Sequence, residues 1–431
     1  MAILKCIFAE NYAPFADRVE FSCESVSNKK DHTRNTSLNG DVELNIVSYI
    51  YGANGSGKSY FCRIFQKIQE AILLSSVATP PKQAYSSYSQ SKISLTQPKG
   101  FSLDTAYYNK PTVLGLELIL DNVLYHYEFS ILKGEIIEEK LQKKKRRTET
   151  ILLRTSPNFA DITLKSELRS FDILKHVVRK DALCLAIAAN LNNKLSLDII
   201  NAIWQMRLFN MTTPLLNPAS VDSLSEERIK HFKEILHVID PTLEKLSLEF
   251  SEEKTRKLNN MEDFENRELI EKYISVDVKA EHTLYENGKK TGSTTTGISF
   301  FEEESLGTVK LFTTLPYLFD VLENGEVLIL DEIENGLHLS LVKEIINLFL
   351  DPKRNPNHAQ LICTSHQPLL LEDIKAKPKR DQIWIMHKNQ QGKSELKRLS
   401  DSSNARLTSS LSKRIIDGAF GCNLTNYFES I

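Results

Sequence analysis

The sequence predicts an α/β fold built around a parallel sheet, on three observations. An apolar, β-rich run, ELNIVSYIYG (43–52), ends in glycine, and the pattern after it, FCRIFQKIQEAILLSS (61–76), has helical spacing. A second run, EVLILDEIENGLH (326–338), holds the unbroken apolar stretch Val327 to Leu330 and then two acids. A third, AQLICTSHQP (359–368), is again apolar and ends in polar residues. Unbroken apolar runs belong to strands covered on both faces, and ligands of such sheets bind beyond their carboxyl ends.

The remaining elements follow in chain order. AILKCIF (2–8) and RVEFS (18–22) read as strands around the turn ENYAPFAD, and 25–41 is a polar loop. A second polar loop covers 79–99. TVLGLELIL (112–120) and VLYHYEFSIL (123–132) form a hairpin turning at Asp121-Asn122. The five basic residues Lys143 to Arg147 read as a solvated turn between strands, with a DNA-contacting patch as the alternative. Residues 161–243 are expected to be a helical insertion. Ser196 caps one helix through Ile199, Ile200, Ile203 and Trp204; a second places Ile229, Phe232, Leu236 and Ile239 on one face, with Pro241 beyond its end. Alternating patterns at 244–250 and 274–286 mark strands. Around Gly392 two more strands join.

Composition narrows the class. The 431 residues are 41% hydrophobic and 26% charged, and the net charge of −2 supplies no global field for a polyanion. The six cysteines form no C-x-x-C pair, so reduced thiols in a cytosol are the better reading. Neither a signal peptide nor an apolar run of roughly 18 residues that would span a bilayer is expected. A cytoplasmic protein without a membrane partner is therefore the expectation.

Two motifs carry the chemistry. GANGSGKS fits G-x-x-x-x-G-K-[ST], and strand and helix flank it as a phosphate-binding loop requires. Gly52, Asn54, Gly55, Ser56 and Gly57 would turn backbone N–H groups around the phosphates of ATP. Lys58 would place its charge on the β and γ phosphates, Ser59 its hydroxyl on Mg²⁺, and the helix its N-terminal dipole on the anion. Asp331 would hold Mg²⁺ and Glu332 would orient and deprotonate the attacking water. His366, one strand further, would reach the γ-phosphate.

GANGSGKS, ESLGT (304–308), LILDEIENGLH and TSH, in that order, resemble the ABC-type ATPase heads of the RecF/SMC-like class. With AENYAPFADRVEF, Glu117, YHYEF and RIIDGAFG, the chain is more closely similar to the prokaryotic AAA-15/AAA-21 ATPases of abortive infection and other anti-phage systems. The resemblance covers nearly the whole chain. It implies a head assembled from both chain ends, 1–160 and 244–431, with the helical insertion between them. It also implies ATP sandwiched between two subunits in a head-to-head dimer or higher oligomer. Ser305 and Gly307 would then touch the γ-phosphate held by the partner, and Asn335 would lie in the loop that couples the two sites. Read from the residues alone, ESLGT is an ordinary helix cap.

The chain departs from that pattern at Asn11-Tyr12, which Ala13 and Pro14 follow where relatives often have arginine. Arg18 is a weak substitute for it, and no glutamine is assigned after the phosphate loop. OLD-type relatives append a nuclease, for which too little chain follows His366. Asp381, Glu395 and Lys397 only loosely imitate a metal-nuclease pattern. The expected role is a Mg²⁺-dependent ATPase that senses infection and controls a separately encoded nuclease or toxin. A DNA-repair or chromosome-maintenance ATPase, with DNA as partner, and a slowly hydrolysing ATP-binding scaffold are the alternatives.

Overall fold

The computed structural model describes residues 2–26, 35–38, 42–76, 98–158, 161–211, 236–237, 240–257, 269–295, 297–371, 378–401 and 412–413. The chain divides into two compact units. One comprises Met1–Asn210, Val321–Glu334 and Leu339–Ile431; the other comprises Met211–Asp320 and Asn335–His338.

Among the described residues the first unit holds two large sheets and a two-stranded antiparallel pair, Asn35–Leu38 with Val42–Asn45, so part of the expected polar loop 25–41 is a strand. In the six-stranded sheet the spatial order is Met206–Asn210, Val327–Asp331, Gln360–Ser365, Val47–Gly52, Ile383–Lys388 and Ser394–Arg398. All neighbours run parallel except the last pair, which is antiparallel. Val47–Gly52, Val327–Asp331 and Gln360–Ser365 are buried at every residue, which is why their sequences do not alternate. The second sheet has seven antiparallel strands, in the order Ile162–Leu164, Thr148–Arg154, Glu135–Lys144, Val123–Leu132, Thr112–Leu120, Ala2–Glu10 and Val19–Ser22. Its hairpin turns at Asp121 and Asn122, with φ of 48° and 63°, the left-handed pair that a two-residue loop matching strand twist requires. The helix Lys58–Ser76 buries Phe61, Ile64, Phe65, Ile68 and Ile72 in a core shared with both sheets, the i, i+3, i+4, i+7 stripe of an amphipathic helix.

Within the segment expected to be helical, helices form at Leu174–Val177, Cys184–Asn190 and Lys194–Trp204, all in the first unit. They dock beside the Lys58–Ser76 helix: Gln69 Nε2 donates to the carbonyls of Ile203 and Met206 at 2.9 and 2.8 Å. Asn193, not Ser196, caps the last of them. Its Oδ1 accepts the Ser196 N–H at 2.9 Å, the bond an N-cap makes to the third helical residue. The buried Glu139 serves the Cys184–Asn190 helix in the same way, accepting the N–H groups of Cys184 and Leu185 at 2.6 and 2.9 Å.

In the second unit the alternating patterns become long paired strands, Leu243–Lys257 and Leu269–Glu286, with Lys289–Thr294 and Ile298–Ser299 along the latter. The short helix Phe300–Glu303 and the long helix Leu306–Asn324 follow, the latter in the second unit up to Asp320. Apart from Leu236 and His237, the second expected helix lies outside the described residues, as do most of both polar loops and RIIDGAFG. Lys143 pairs with Glu149 and Glu167 while Lys144 to Arg147 are exposed, the solvated turn expected there. The five described cysteines are free and buried. No helix among the described residues is long and apolar enough to cross a membrane.

Candidate functional site: a phosphate loop beside paired acids

Each glycine of the loop answers to a local constraint. A Cβ at Gly52 would lie 2.6 Å from the Met386 carbonyl, so the strand leaves no room for a side chain. Gly55 and Gly57 have φ of 75° and 113°, backbone that other residues adopt only with strain. Gly57 also packs against Pro14 and Ser394, the latter donating its hydroxyl to the Ser56 carbonyl at 2.6 Å. The helix begins at Lys58, and the lysine folds back over the loop, its Nζ donating to Gly52 O at 2.7 Å and Ala53 O at 3.1 Å. Ser56 Oγ is buried in the loop without a hydrogen-bond partner. A concave backbone turn, a buried ammonium and an unpartnered hydroxyl suit the oxygen-rich, anionic phosphates of a nucleotide.

The acids stand two strands away. Parallel pairing through Gln360–Ser365 brings the carboxyl ends of Val47–Gly52 and Val327–Asp331 to one edge of the sheet. Asp331 is 3% exposed, and its Oδ1 accepts the Thr364 hydroxyl at 2.7 Å, with Cys62 Sγ of the loop's own helix at 3.8 Å. Burial and the Asp331 carboxylate push the Cys62 thiol well above its ordinary pKa, so it stays protonated and donates. Glu332 turns out of the strand with φ of 55°, a left-handed value uncommon for a non-glycine residue. Its N–H donates to Thr364 Oγ1 at 2.8 Å, and the N–H of Ile333 donates to the Thr364 carbonyl at 3.1 Å, which together fix the turn.

His366 is partly exposed. Its backbone N–H donates to Glu334 Oε1 at 2.7 Å, and its Nδ1 lies 3.4 Å from the same oxygen. The other Glu334 oxygen is buried without a hydrogen-bond partner.

Ser305, Gly307 and Asn335 come together within the second unit. Ser305 Oγ accepts the Thr308 N–H at 3.2 Å and so caps the helix Leu306–Asn324. A Cβ on Gly307 would lie 3.1 Å from the Gly336 carbonyl. Lys310, 2% exposed, donates through Nζ to Asn335 O at 2.9 Å and Asn335 Oδ1 at 2.7 Å. Sequence reasoning missed Lys310, one lysine among many with no motif around it, and missed the hydrogen bonds by which Thr364 holds Asp331 and Glu332 and Glu334 holds His366. An acid three residues after Asp331 and a hydroxyl two before His366 were the available signals.

Compared with known protein families, residues 47–372 match AAA_21, an AAA domain described with the AbiEii toxin and type IV toxin–antitoxin systems. The chain belongs to the AAA_21 family. Among curated proteins no match is found. The AAA_21 match opens at the first residue of the phosphate-loop strand and takes in Asp331, Glu332, His366 and the Ser305 turn.

Two further sequence expectations meet their geometry outside or at the edge of the AAA_21 match. Arg18 lies over the Phe8 ring at 3.9 Å and pairs with Glu128 at 3.2 Å, so it belongs to the surface of the antiparallel sheet. Asp381 Oδ2 accepts Ser25 Oγ at 2.8 Å and the Val26 N–H at 3.0 Å, whereas Glu395 and Lys397 pair with each other at 2.6 Å. Those three side chains therefore have structural partners of their own.

Proposed function

We propose that the chain is a Mg²⁺-dependent ATPase of ABC type that works as a nucleotide-driven switch. The observation that carries this reading is the Thr364 clamp, which presents Asp331 and Glu332 on the same sheet edge as the phosphate loop. The glycine turns and Lys58 would bind the phosphate chain, and Ser59, next along the helix, and Asp331 would hold the cation. Bound Mg²⁺ would neutralise charge on the β and γ phosphates. Glu332 orients the attacking water and takes its proton. His366, held by Glu334, would reach the γ-phosphate.

In this reading two copies meet head to head, and Ser305 and Gly307 of one complete the site of the other. Asn335, tied to the same helix through Lys310, relates the two sites. Differential binding of ATP closes the heads and hydrolysis reopens them. The output in this reading is a separate effector protein in an antiviral response, as the resemblance to abortive-infection ATPases implies; the family description itself names only a toxin of a type IV toxin–antitoxin system.

Phosphate release from ATP by purified protein, with and without Mg²⁺, tests the activity. Wild type should turn over only with Mg²⁺, and Lys58→Ala should lose turnover. Cells expressing the chain alone should behave as empty controls do, growing normally without phage and succumbing equally to infection; growth arrest caused by the chain alone would contradict a separate effector.

A further inference from the structure

The second unit contains a hydrogen-bonded chain that ends at the Ser305 turn. Thr242 donates its N–H and its hydroxyl to Asp240 Oδ1, at 2.9 and 2.6 Å. Burial would raise the Asp240 carboxyl, but these bonds hold it below its usual range, so it is an ionised acceptor. The single hydroxyl hydrogen of Thr242 is thus committed to Asp240. The contact of 2.9 Å between Thr242 Oγ1 and His282 Nδ1 then requires the hydrogen to sit on Nδ1. On the other side of the ring, Nε2 lies 2.7 Å from Glu304 Oε1, and both side chains are largely buried. One hydrogen must lie between these two atoms. Glu304 immediately precedes Ser305, and His282 stands on the long strand Leu269–Glu286.

We propose that His282 is a positioning residue for the Ser305 turn, latching the sheet of the second unit to the start of the helix Leu306–Asn324 through Glu304. The proposal rests on the reading of Ser305 as a contact to the partner's γ-phosphate. Asp240, His282 and Glu304 also have the donor types of a divalent-cation site. Two ligand atoms each roughly 2.0–2.1 Å from a tetrahedral zinc are separated by more than 3 Å, so a 2.7 Å contact is a hydrogen bond instead. A shift of this sheet would in this way alter the Ser305 turn.

The test compares full-length variants by thermal melting and by steady-state ATP hydrolysis. His282→Ala and Glu304→Ala should lower kcat roughly tenfold while KM for ATP stays within about twofold, because the phosphate loop is intact. Glu304→Gln should keep more than half of wild-type kcat, since its amide can donate to Nε2 of a ring whose hydrogen is on Nδ1. If His282→Ala does not fold, Thr242→Val must show the same split between kcat and KM. In mixed assemblies, His282→Ala should complement Lys58→Ala, as Ser305→Arg is expected to, and should fail to complement Ser305→Arg. Wild-type kcat in folded His282→Ala, Glu304→Gln as damaged as Glu304→Ala, or stoichiometric zinc binding lost in His282→Ala would each overturn the latch. Failure of Ser305→Arg to complement Lys58→Ala would overturn the shared site instead. Without any turnover, nitrogen NMR still decides the latch: a ring hydrogen on Nδ1 of His282 is expected, and its absence there overturns it.

Discussion

Thr364 donates its hydroxyl to Asp331 Oδ1 at 2.7 Å and receives the backbone N–H of the following acid, Glu332, at 2.8 Å. One fully buried side chain thereby orients the carboxylate assigned to the cation and the backbone turn assigned to the base.

Replacing Thr364 should separate these roles from packing. Thr364→Val fills the same volume but leaves Asp331 Oδ1 only the weak Cys62 thiol as donor and takes from the Glu332 N–H its acceptor, a loss of about 1–3 kcal/mol. The expected result is a kcat lowered roughly ten- to a hundredfold, with Thr364→Ser close to wild type. Denaturant unfolding and steady-state kinetics on both variants check it; equal kcat in both would remove Thr364 from the mechanism.

Lys310 is the corresponding tie in the second unit. Lys310→Met keeps the stem and removes the ammonium that bonds the Asn335 carbonyl and side-chain oxygen. Loss of these charge-assisted bonds should destabilise the protein by about 1–3 kcal/mol, and kcat should fall while ATP binding persists. A nucleotide-binding titration beside a turnover assay distinguishes these effects. ATP affinity that falls with kcat would contradict the assignment.

Stability should have a defined pH window on the antiparallel sheet. Bonding by His126, against the opposing effect of burial, and by Lys5 lowers the Glu117 carboxyl from 4.5 to about 2. His126 is raised from 6.5 by Glu117 and Glu128. The Glu117 contribution is present above 4.5 and is lost as pH falls toward about 2. The His126 contribution is present below 6.5 and is lost as pH rises through the raised folded value. The cluster therefore stabilises most between 4.5 and 6.5. Urea unfolding across pH 3–9 should show a flatter profile in Glu117→Gln than in wild type; an unchanged profile would exclude the cluster as its source.

What the sequence disclosed, and what it withheld, has a physical pattern. The buried strands, the glycine loop and the Asp121-Asn122 turn were legible because each is fixed by local chemistry: apolar runs, φ above zero, a two-residue hairpin. The cap at Asn193 was misplaced onto Ser196 because both residue types cap helices and only the backbone decides between them. Thr364, Lys310 and His282 were not legible as site-building residues. Their partners lie 33, 25 and 22 positions away, at Asp331, Asn335 and Glu304, and no local spacing encodes such pairings. The sheet order that inserts Gln360–Ser365 between the phosphate loop and the acids was equally a property of topology.

The most direct test of the ATPase assignment is single-turnover hydrolysis by Glu332→Gln. The substitution preserves shape and the Thr364 bond to the backbone N–H while removing the base. With Mg²⁺ and radiolabelled ATP, Glu332→Gln should bind nucleotide as wild type does and retain it unhydrolysed, with the rate lowered at least roughly a hundredfold. Hydrolysis by Glu332→Gln at the wild-type rate would contradict the assignment of Glu332 as the base.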